Sequence, residues 1–321
     1  MNEFVLAGDL GGTNLRIAAV DRSGRILCRF EASTPRYVDE SKIVESAVGL
    51  ARSIRRKMGS DALAFGFAIP AIMNSAEGKI FTSPNLPELN GADLGRRLSE
   101  ELGLGVLLEN DANAAAVGEN WLGAAKGSSS SICITLGTGV GGGIILNGKV
   151  LQGPDGTAGE IGHVCVDPAG PPCGCGSNGC LEQFASATAI VRMASELIAD
   201  FPDSRISSMD EFDASMIFGL GLEGDALCLE VFRRAGEYLG IAAAGLINLL
   251  NPEIIAIGGG AANGWELFIG PMRTEIVKRA FQQPAERARI VRASLGADAG
   301  IVGAAFLAFE KIGLARASRI R

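Results

Sequence analysis

The feature that most constrains the fold of this chain is a pattern that occurs twice, once in each half of the sequence. Each occurrence is an apolar, strand-like run, then a glycine-rich turn, then a second strand-like run. In the first half the runs 4–8 and 15–20 flank the turn 9–14, and in the second half Ser131–Leu136 leads into the turn 137–143. Two halves that open alike predict a duplicated α/β unit, with a cleft between its two lobes.

The remaining segments continue this alternation of strands and helices. Further strands are expected at 25–33, 63–69, 106–109, 144–146, 150–152, 254–257 and 289–291, and helices at 41–58, 93–102, 112–121 and 299–312, with a long helical region over about 181–250. Asn147 and Gly148 between two apolar runs predict a hairpin with a type I′ turn. We expect an N-terminal lobe over residues 1–118, joined by a C-terminal helix at about 300–321, and a second lobe over 119–299.

Charge and hydropathy exclude several classes of partner. A net charge of −7 over 321 residues argues against nucleic acid, because binding to a phosphate backbone needs clustered lysine and arginine. No run approaches the ~18 apolar residues of a membrane-spanning helix, and the first residues lack the basic and apolar regions of a signal peptide. Seven cysteines, an odd number, are poor evidence for disulfides. We expect a cytoplasmic protein that binds neither nucleic acid nor membrane.

Both glycine-rich turns have the composition of a phosphate-binding loop. Glycines let backbone N–H groups approach an anion closely, so Gly11 and Gly12 are candidate phosphate contacts. Thr13 and Asn14 add donors, and Asp9, at the end of a strand, is placed to hold Mg²⁺. The turn joins two strands and therefore differs from a P-loop or a Rossmann turn, both of which lead into a helix.

An ordinary tight hairpin is the alternative interpretation of either turn alone. The repetition at Gly137, Thr138 and Gly139 favours a polyphosphate held from both sides of the cleft. Gly259 and Gly260 follow a buried strand and precede a helical stretch, where an adenosine is expected to lie. A plain strand-to-helix turn is the alternative there.

Asp111 is the candidate catalytic base. It falls where a strand ends and a helix starts, and ligands of open α/β sheets bind beyond the carboxyl ends of strands. Its carboxylate could accept the proton of a sugar hydroxyl that attacks a γ-phosphate. The alternative is that Asp111 only caps the helix. A Ser-His-Asp or Cys-His hydrolase would have to use His163, the only histidine of the chain.

His163 has a better assignment in a metal site. It precedes Cys173, Cys175 and Cys180 in a loop rich in proline and glycine, and one histidine with three cysteines is a common structural zinc set. Four protein ligands leave no open position, so the metal would be structural. Unrelated free thiols beside a core histidine are the alternative. Glu160 and Glu182 flank the set, in a zinc loop over 160–182, and could accept hydrogen bonds from sugar hydroxyls.

These motifs resemble those of the ROK family (repressor, open reading frame, kinase) and, within it, the bacterial glucokinases. The resemblance spans nearly the whole chain and rests on residues 9–14, 109–113, 136–143, 158–163 and 173–182. It implies an actin-like, ribonuclease-H-like fold of two α/β lobes, ATP with Mg²⁺, structural Zn²⁺, a homodimer or homotetramer, and phosphorylation of a hexose, foremost glucose. Asp111 matches the catalytic base of the family, and its sugar contacts would be Asn85, Asn110, Glu160, His163 and Glu182.

Two departures from the glucokinase pattern bear on the sugar. The family usually has Pro-Gly where this chain has Pro70-Ala71, and often has tryptophan in the stretch 85–89. N-acetylmannosamine, N-acetylglucosamine, fructose and allose therefore stay open as substrates beside glucose.

Three other functions are alternatives to a sugar kinase. A repressor of the family carries a DNA-binding segment before the first turn, which here starts at residue 9, so we do not expect that function. A non-catalytic sugar sensor would not need Asp111, and an actin-like chaperone or filament would not need the zinc loop.

Overall fold

The computed structural model describes residues 3–35, 39–75 and 77–318, and for residues 314–318 it describes the backbone alone. The first part of the chain forms β1 (Phe4–Leu10), β2 (Asn14–Asp21), β3 (Ile26–Ser33), α1 (Glu40–Met58), β4 (Phe65–Ile69), β5 (Ile72–Asn74), β6 (Lys79–Thr82), α2 (Leu94–Leu102), β7 (Val106–Asn110) and α3 (Asp111–Trp121).

The second part repeats the alternation and ends on a long helix. It forms β8 (Ser131–Leu136), β9 (Val140–Leu146), β10 (Lys149–Val150), α4 (Glu182–Ala185), α5 (Ala187–Leu197), α6 (Ala214–Leu222), α7 (Ala226–Leu250), β11 (Ile254–Gly258), α8 (Trp265–Arg279), α9 (Gln282–Arg287), β12 (Arg289–Arg292) and α10 (Ala299–Ser318). No helix in the described ranges is both long enough and apolar enough to cross a membrane.

Two five-stranded sheets share one topology. The first has the order β3-β2-β1-β4-β7 and the second β10-β9-β8-β11-β12. In both, an antiparallel hairpin (β1–β2 or β8–β9) continues into two parallel strands. The duplicated α/β unit predicted from the repeated turn is therefore confirmed.

Helix α1 shows why the local sequence forms these elements. Its residues Ile43, Ala47, Ala51 and Ile54 recur at helical spacing and are fully buried against the first sheet. The Asp39 side chain caps the start by accepting from the Ser41 amide at 2.8 Å. The helix ends where the next residue, a glycine, adopts the left-handed conformation.

Helices α3 and α10 connect the two sheets. Helix α3 packs on β8 and β9, while α10 packs on α3, β1 and β4. A Cβ at Gly303 would lie 1.7 Å from the Ala114 carbonyl oxygen, and one at Gly118 would lie 2.3 Å from that of Ala299. The two helices thus cross backbone to backbone. The division into lobes at residue 118 stays a prediction, and residues 319–321 of the expected last helix lie outside the described chain.

The structure corrects the sequence-based elements in several places. The turn predicted over 137–143 ends early, because β9 already begins at Val140. The helical region over 181–250 contains four α-helices and two short 3₁₀ segments, and Ser186, Asp213 and Asp225 each cap an α-helix by accepting a backbone amide. The hairpin β5–β6 was not predicted, since strands of three and four residues carry too little alternation. The hairpin at Asn147 and Gly148 is confirmed, with φ of 51° and 72°.

Candidate active site

Two adjoining cavities lie where the sheets face each other. We call the first, of about 390 Å³, the cleft cavity, and the second, of about 420 Å³, the hinge cavity. Asp111, Thr135 and Gly259 line both. The cleft cavity is also lined by most of the residues that the sequence singled out, namely Gly11, Gly12, Asn85, Asn110, Gly137, Thr138, Gly139, Glu160, His163 and Glu182.

The first glycine-rich turn closes the β1–β2 hairpin. The Gly11 amide donates to the Asn14 carbonyl at 2.8 Å. Thr34 supports the turn, since its hydroxyl donates to the Gly11 carbonyl at 2.7 Å and its amide to the Thr13 carbonyl at 2.8 Å. Thr13 and Asn14 belong to the turn but do not line the cleft cavity, whereas Gly12 does.

The second turn closes the β8–β9 hairpin. A carboxylate from residues 160–182, which we call the cysteine-rich loop, supports it. The Gly137 amide donates to the Gly139 carbonyl at 2.9 Å. Glu182 Oε2 accepts from the Val140 amide at 3.0 Å, and a Cβ at Gly139 would lie 2.3 Å from the same oxygen. Glu182, which the sequence associated only with sugar, therefore also contacts the second turn.

The glycines after β11 bring the backbone close to the second sheet. Gly259 has φ of 88°, and a Cβ there would lie 2.3 Å from the Leu136 carbonyl oxygen, so only glycine fits. Gly260 lines a third cavity, of about 340 Å³, together with Thr138, Phe218 and Phe232. We call it the side cavity.

Asp111 is the first residue of α3 and lies between the cleft and hinge cavities. Asn110 caps the helix, because its Oδ1 accepts from the Asn113 amide at 3.0 Å. The alternative in which Asp111 serves only as the cap is therefore wrong. Burial, and then the charges of Asp9 and Glu160, raise the pKa of Asp111 to about 7, although the Ala112 amide donates to its carboxylate.

Asp9, at the end of β1, faces the hinge cavity together with Asp111. Its carboxylate pairs with Arg16 on the neighbouring strand. Burial raises the pKa of Asp9 above its ordinary value, Asp298 adds to this, and the Arg16 guanidinium opposes it. Two acidic groups at one cavity form a site at which a divalent cation would relieve their repulsion.

Glu109 is a buried carboxylate in the motif 109–113, and the sequence indicated no role for it. It is 3% exposed. Its Oε1 accepts from the Ser75 hydroxyl at 2.9 Å and the Asn110 amide at 3.0 Å, while Oε2 accepts from Gln152 Nε2 at 2.9 Å. These bonds hold the end of β7, and thereby the start of α3, against the turn after β5 and the segment after β10. Because Ser75 and Gln152 are distant from it in sequence, the motif could not reveal these two contacts.

His163, Cys173, Cys175 and Cys180 come together as predicted, with ligand atoms within 4.8 Å of one another. His163 Nδ1 lies 3.6 Å from Cys173 Sγ, and Cys175 Sγ lies 3.6 Å from Cys180 Sγ. Tetrahedral zinc with Zn–S bonds of about 2.3 Å would separate its sulfur ligands by roughly 3.8 Å. The donor set therefore fits zinc, and the ring of His163 also lines the cleft cavity.

A duplicated α/β fold with a glycine-rich turn from each sheet at one cavity, beside two carboxylates, is the architecture of the actin-like ATPase class. The sequence matches the ROK family over residues 5–311. The chain belongs to the ROK family.

Its relatives include glucokinases along nearly their full length. A glucokinase of Thermotoga maritima is 36% identical over 309 residues, which is 95% of this chain and 97% of that protein. A glucokinase of Halalkalibacterium halodurans is 37% identical over 309 residues, 93% of each chain. The crystal structure of a ROK family glucokinase from Streptomyces griseus in complex with glucose and AMPPNP is 34% identical, with a TM-score of 0.82 over 96% of this chain and 99% of that one.

Proposed function

We propose that this chain is an ATP-dependent hexose kinase that phosphorylates glucose to glucose 6-phosphate, with Asp111 as the catalytic base. The observation that carries the proposal is the place of Asp111, which lies where the cavity bearing both glycine-rich turns meets the cavity bearing Asp9. The glucokinase relatives and the complex of one of them with glucose and AMPPNP support glucose and ATP as the substrates.

ATP would lie across the second sheet with its phosphates between the two turns. The Gly11 and Gly137 amides already donate within the turns, so the amides of Gly12 and Gly139 would donate to the phosphate oxygens, and Thr138 would add its hydroxyl. The adenosine would occupy the side cavity beside Gly259 and Gly260. Asp9 would hold Mg²⁺, which neutralises charge on the transferred phosphoryl group. Phosphoryl transfer needs alignment and charge screening above all, and this arrangement offers both.

The sugar would occupy the other end of the cleft cavity. Glu160, His163 and Glu182 would hydrogen-bond its hydroxyls from the loop over 160–182, and Asn85 and Asn110 from the segment after β6 and the end of β7. Asn110 already uses part of its side chain, because its Nδ2 donates to the Ala71 carbonyl at 3.1 Å. It therefore also positions the loop in which this chain departs from the glucokinase pattern.

Asp111 would accept the proton of the attacking hydroxyl as that oxygen bonds to the γ-phosphorus. A pKa of about 7 matches this task, since such a carboxylate is half ionised at neutral pH and holds an accepted proton firmly. The charge of Mg²⁺ bound beside Asp9 would favour the ionised form of Asp111.

Zinc bound by His163, Cys173, Cys175 and Cys180 would be structural. Four protein ligands leave no place for water or sugar on the metal. Because Nδ1 of His163 faces the thiols, its Nε2 is left for the sugar. The metal would fix the orientation of this ring and of Glu182, two residues beyond Cys180.

We also propose that the protein acts in the cytoplasm as a homodimer or homotetramer, as the family resemblance implies. Light scattering of the purified protein would measure the assembly.

The proposed function is tested by incubating the protein with ATP, Mg²⁺ and each of glucose, mannose, fructose, allose, N-acetylglucosamine and N-acetylmannosamine. We expect glucose to have the highest kcat/KM, with phosphate on O6 by NMR. Preference for an N-acetylhexosamine would reject glucose but keep the kinase. Glucose binding without turnover of any hexose would instead indicate a sensor.

A further inference from the structure

A buried carboxylate joins the two places where the chain passes between the sheets. The chain leaves the first sheet through α3 and residues 122–130, and it returns from β12 through residues 293–298 to α10. Glu119 lies near the end of α3, lines the hinge cavity and is 1% exposed. Its side chain contacts both connecting segments.

The partners of Glu119 are mainly backbone amides. Its Oε2 accepts from the Ala124 amide at 2.7 Å, in the outgoing segment. Its Oε1 accepts from the Ser294 amide at 3.0 Å and the Leu295 amide at 2.8 Å, in the returning segment. Hydrogen bonds to a charged acceptor are stronger than neutral ones, and buried donors that lose their acceptor are costly. One carboxylate thus ties both connections together.

The elements that Glu119 connects also carry or contact Asp111 and Asp9. Asp111 starts the helix on which Glu119 lies. The returning segment runs into α10, where a Cβ at Gly300 would lie 3.2 Å from Asp9 Oδ1. Displacement of this segment relative to α3 would therefore change the spacing between Asp9 and Asp111.

We propose that Glu119 is a positioning residue that holds the helix carrying Asp111 and the segment abutting Asp9 in one register. It takes no part in proton or phosphoryl transfer. The inference rests on the proposed function for its kinetic readout. The hydrogen bonds to Glu119 can be measured without catalysis.

The test compares Glu119→Gln with Glu275→Gln. Glu275 is also buried, at 5% exposed, but pairs with Lys278 and Arg279 on α8, outside both cavities. A glutamine at 119 presents an N–H₂ group to amide donors, so we expect kcat to fall about tenfold and the Mg²⁺ requirement to rise several-fold, with KM for sugar within about threefold. The control should change thermal stability alone.

Hydrogen exchange supplies the readout that does not depend on catalysis. The amides of Ala124, Ser294 and Leu295 should be protected in the wild-type protein and should exchange much faster in Glu119→Gln. Gly123→Ala gives a second route if that variant does not fold, because the added Cβ would lie 2.1 Å from Glu119 Oε2 and displace the carboxylate. It should reproduce the kinetic defect.

Wild-type kcat and Mg²⁺ dependence in both variants would overturn the inference, as would unchanged exchange of the three amides. Failure of the proposed function is a separate result. If the wild-type protein phosphorylated no hexose, the exchange of the three amides could still be compared between wild type and variant.

Discussion

The two glycine-rich turns occupy equivalent places in sheets of the same topology, yet different parts of the chain support them. The first is held by Thr34, directly after β3 of its own sheet, through bonds of 2.7 and 2.8 Å. The second is held by Glu182, from the cysteine-rich loop, through a bond of 3.0 Å to the Val140 amide. The start of α5 also holds it, since the Ala187 amide donates to the Gly137 carbonyl at 2.8 Å and the Thr188 hydroxyl to the Thr138 carbonyl at 2.9 Å. The two hairpins have the same topology, but within the described residues only the second turn is bonded to the loop that also faces the proposed sugar site.

This difference predicts how perturbations spread. Substitutions near the first turn should weaken the binding of ATP alone. Substitutions in the cysteine-rich loop should weaken the binding of both ATP and sugar, because Glu182 contacts the second turn. Asp111 lies between the two regions and should affect chemistry alone.

The largest effect is expected from Asp111→Asn, which keeps the shape of the residue and removes the proton acceptor. We predict that kcat falls at least about 100-fold while sugar affinity largely survives. Steady-state kinetics and calorimetric titration of sugar would measure the two quantities. Turnover near the wild-type value would remove Asp111 from the mechanism.

A smaller loss of function is expected from substitutions of the metal ligands in the cysteine-rich loop. Cys175→Ser should lower zinc content and weaken sugar binding about tenfold, with a lesser loss of ATP affinity transmitted through Glu182. His163→Ala should be more damaging, because it removes a ligand and a sugar contact together. Metal analysis with titration of both substrates would check this. Less than about half a zinc per chain in wild-type protein prepared without chelators would contradict the closed site.

The smallest effect is expected from a matched pair of variants, each with one glycine of a turn replaced by alanine. Gly139→Ala would press on Glu182, whose Oε2 lies 2.3 Å from the new Cβ, whereas a Cβ at Gly12 meets no atom within 4 Å. We predict that Gly139→Ala raises KM for ATP about fivefold and KM for sugar about twofold, and that Gly12→Ala changes KM for sugar little. An equal change in KM for sugar in the two variants would contradict the proposed difference between the turns.

Much of the site could be predicted because its residues stand in short motifs. The paired turns, Asp111 after a strand, and the histidine with three cysteines each occupy a contiguous stretch. What could not be predicted are contacts between distant stretches, such as Thr34 to Gly11, Glu109 to Gln152 and Glu119 to Ser294. Such pairs follow from sheet order and helix crossing, which no local pattern encodes.

The helical region over 181–250 was predicted without its breaks. The stretch 201–213 between α5 and α6 contains Pro202 and several serines and aspartates, which disfavour helix, and the caps at Ser186, Asp213 and Asp225 start new helices. For Asp111 the structure rejects the alternative of a helix cap, because the preceding Asn110 takes that role.

The central claim, that Asp111 is the base of a sugar kinase, is tested most directly by the pH dependence of kcat/KM for glucose under saturating MgATP. Asp111 must be ionised to accept the proton, and burial with the charge of Asp9 raises its pKa to about 7 in the free protein. Bound Mg²⁺ would lower that value, so kcat/KM should fall about tenfold per pH unit below a midpoint at or somewhat under pH 7. A rate that stays level from about pH 8 down to pH 5, with the protein still folded, would contradict the assignment.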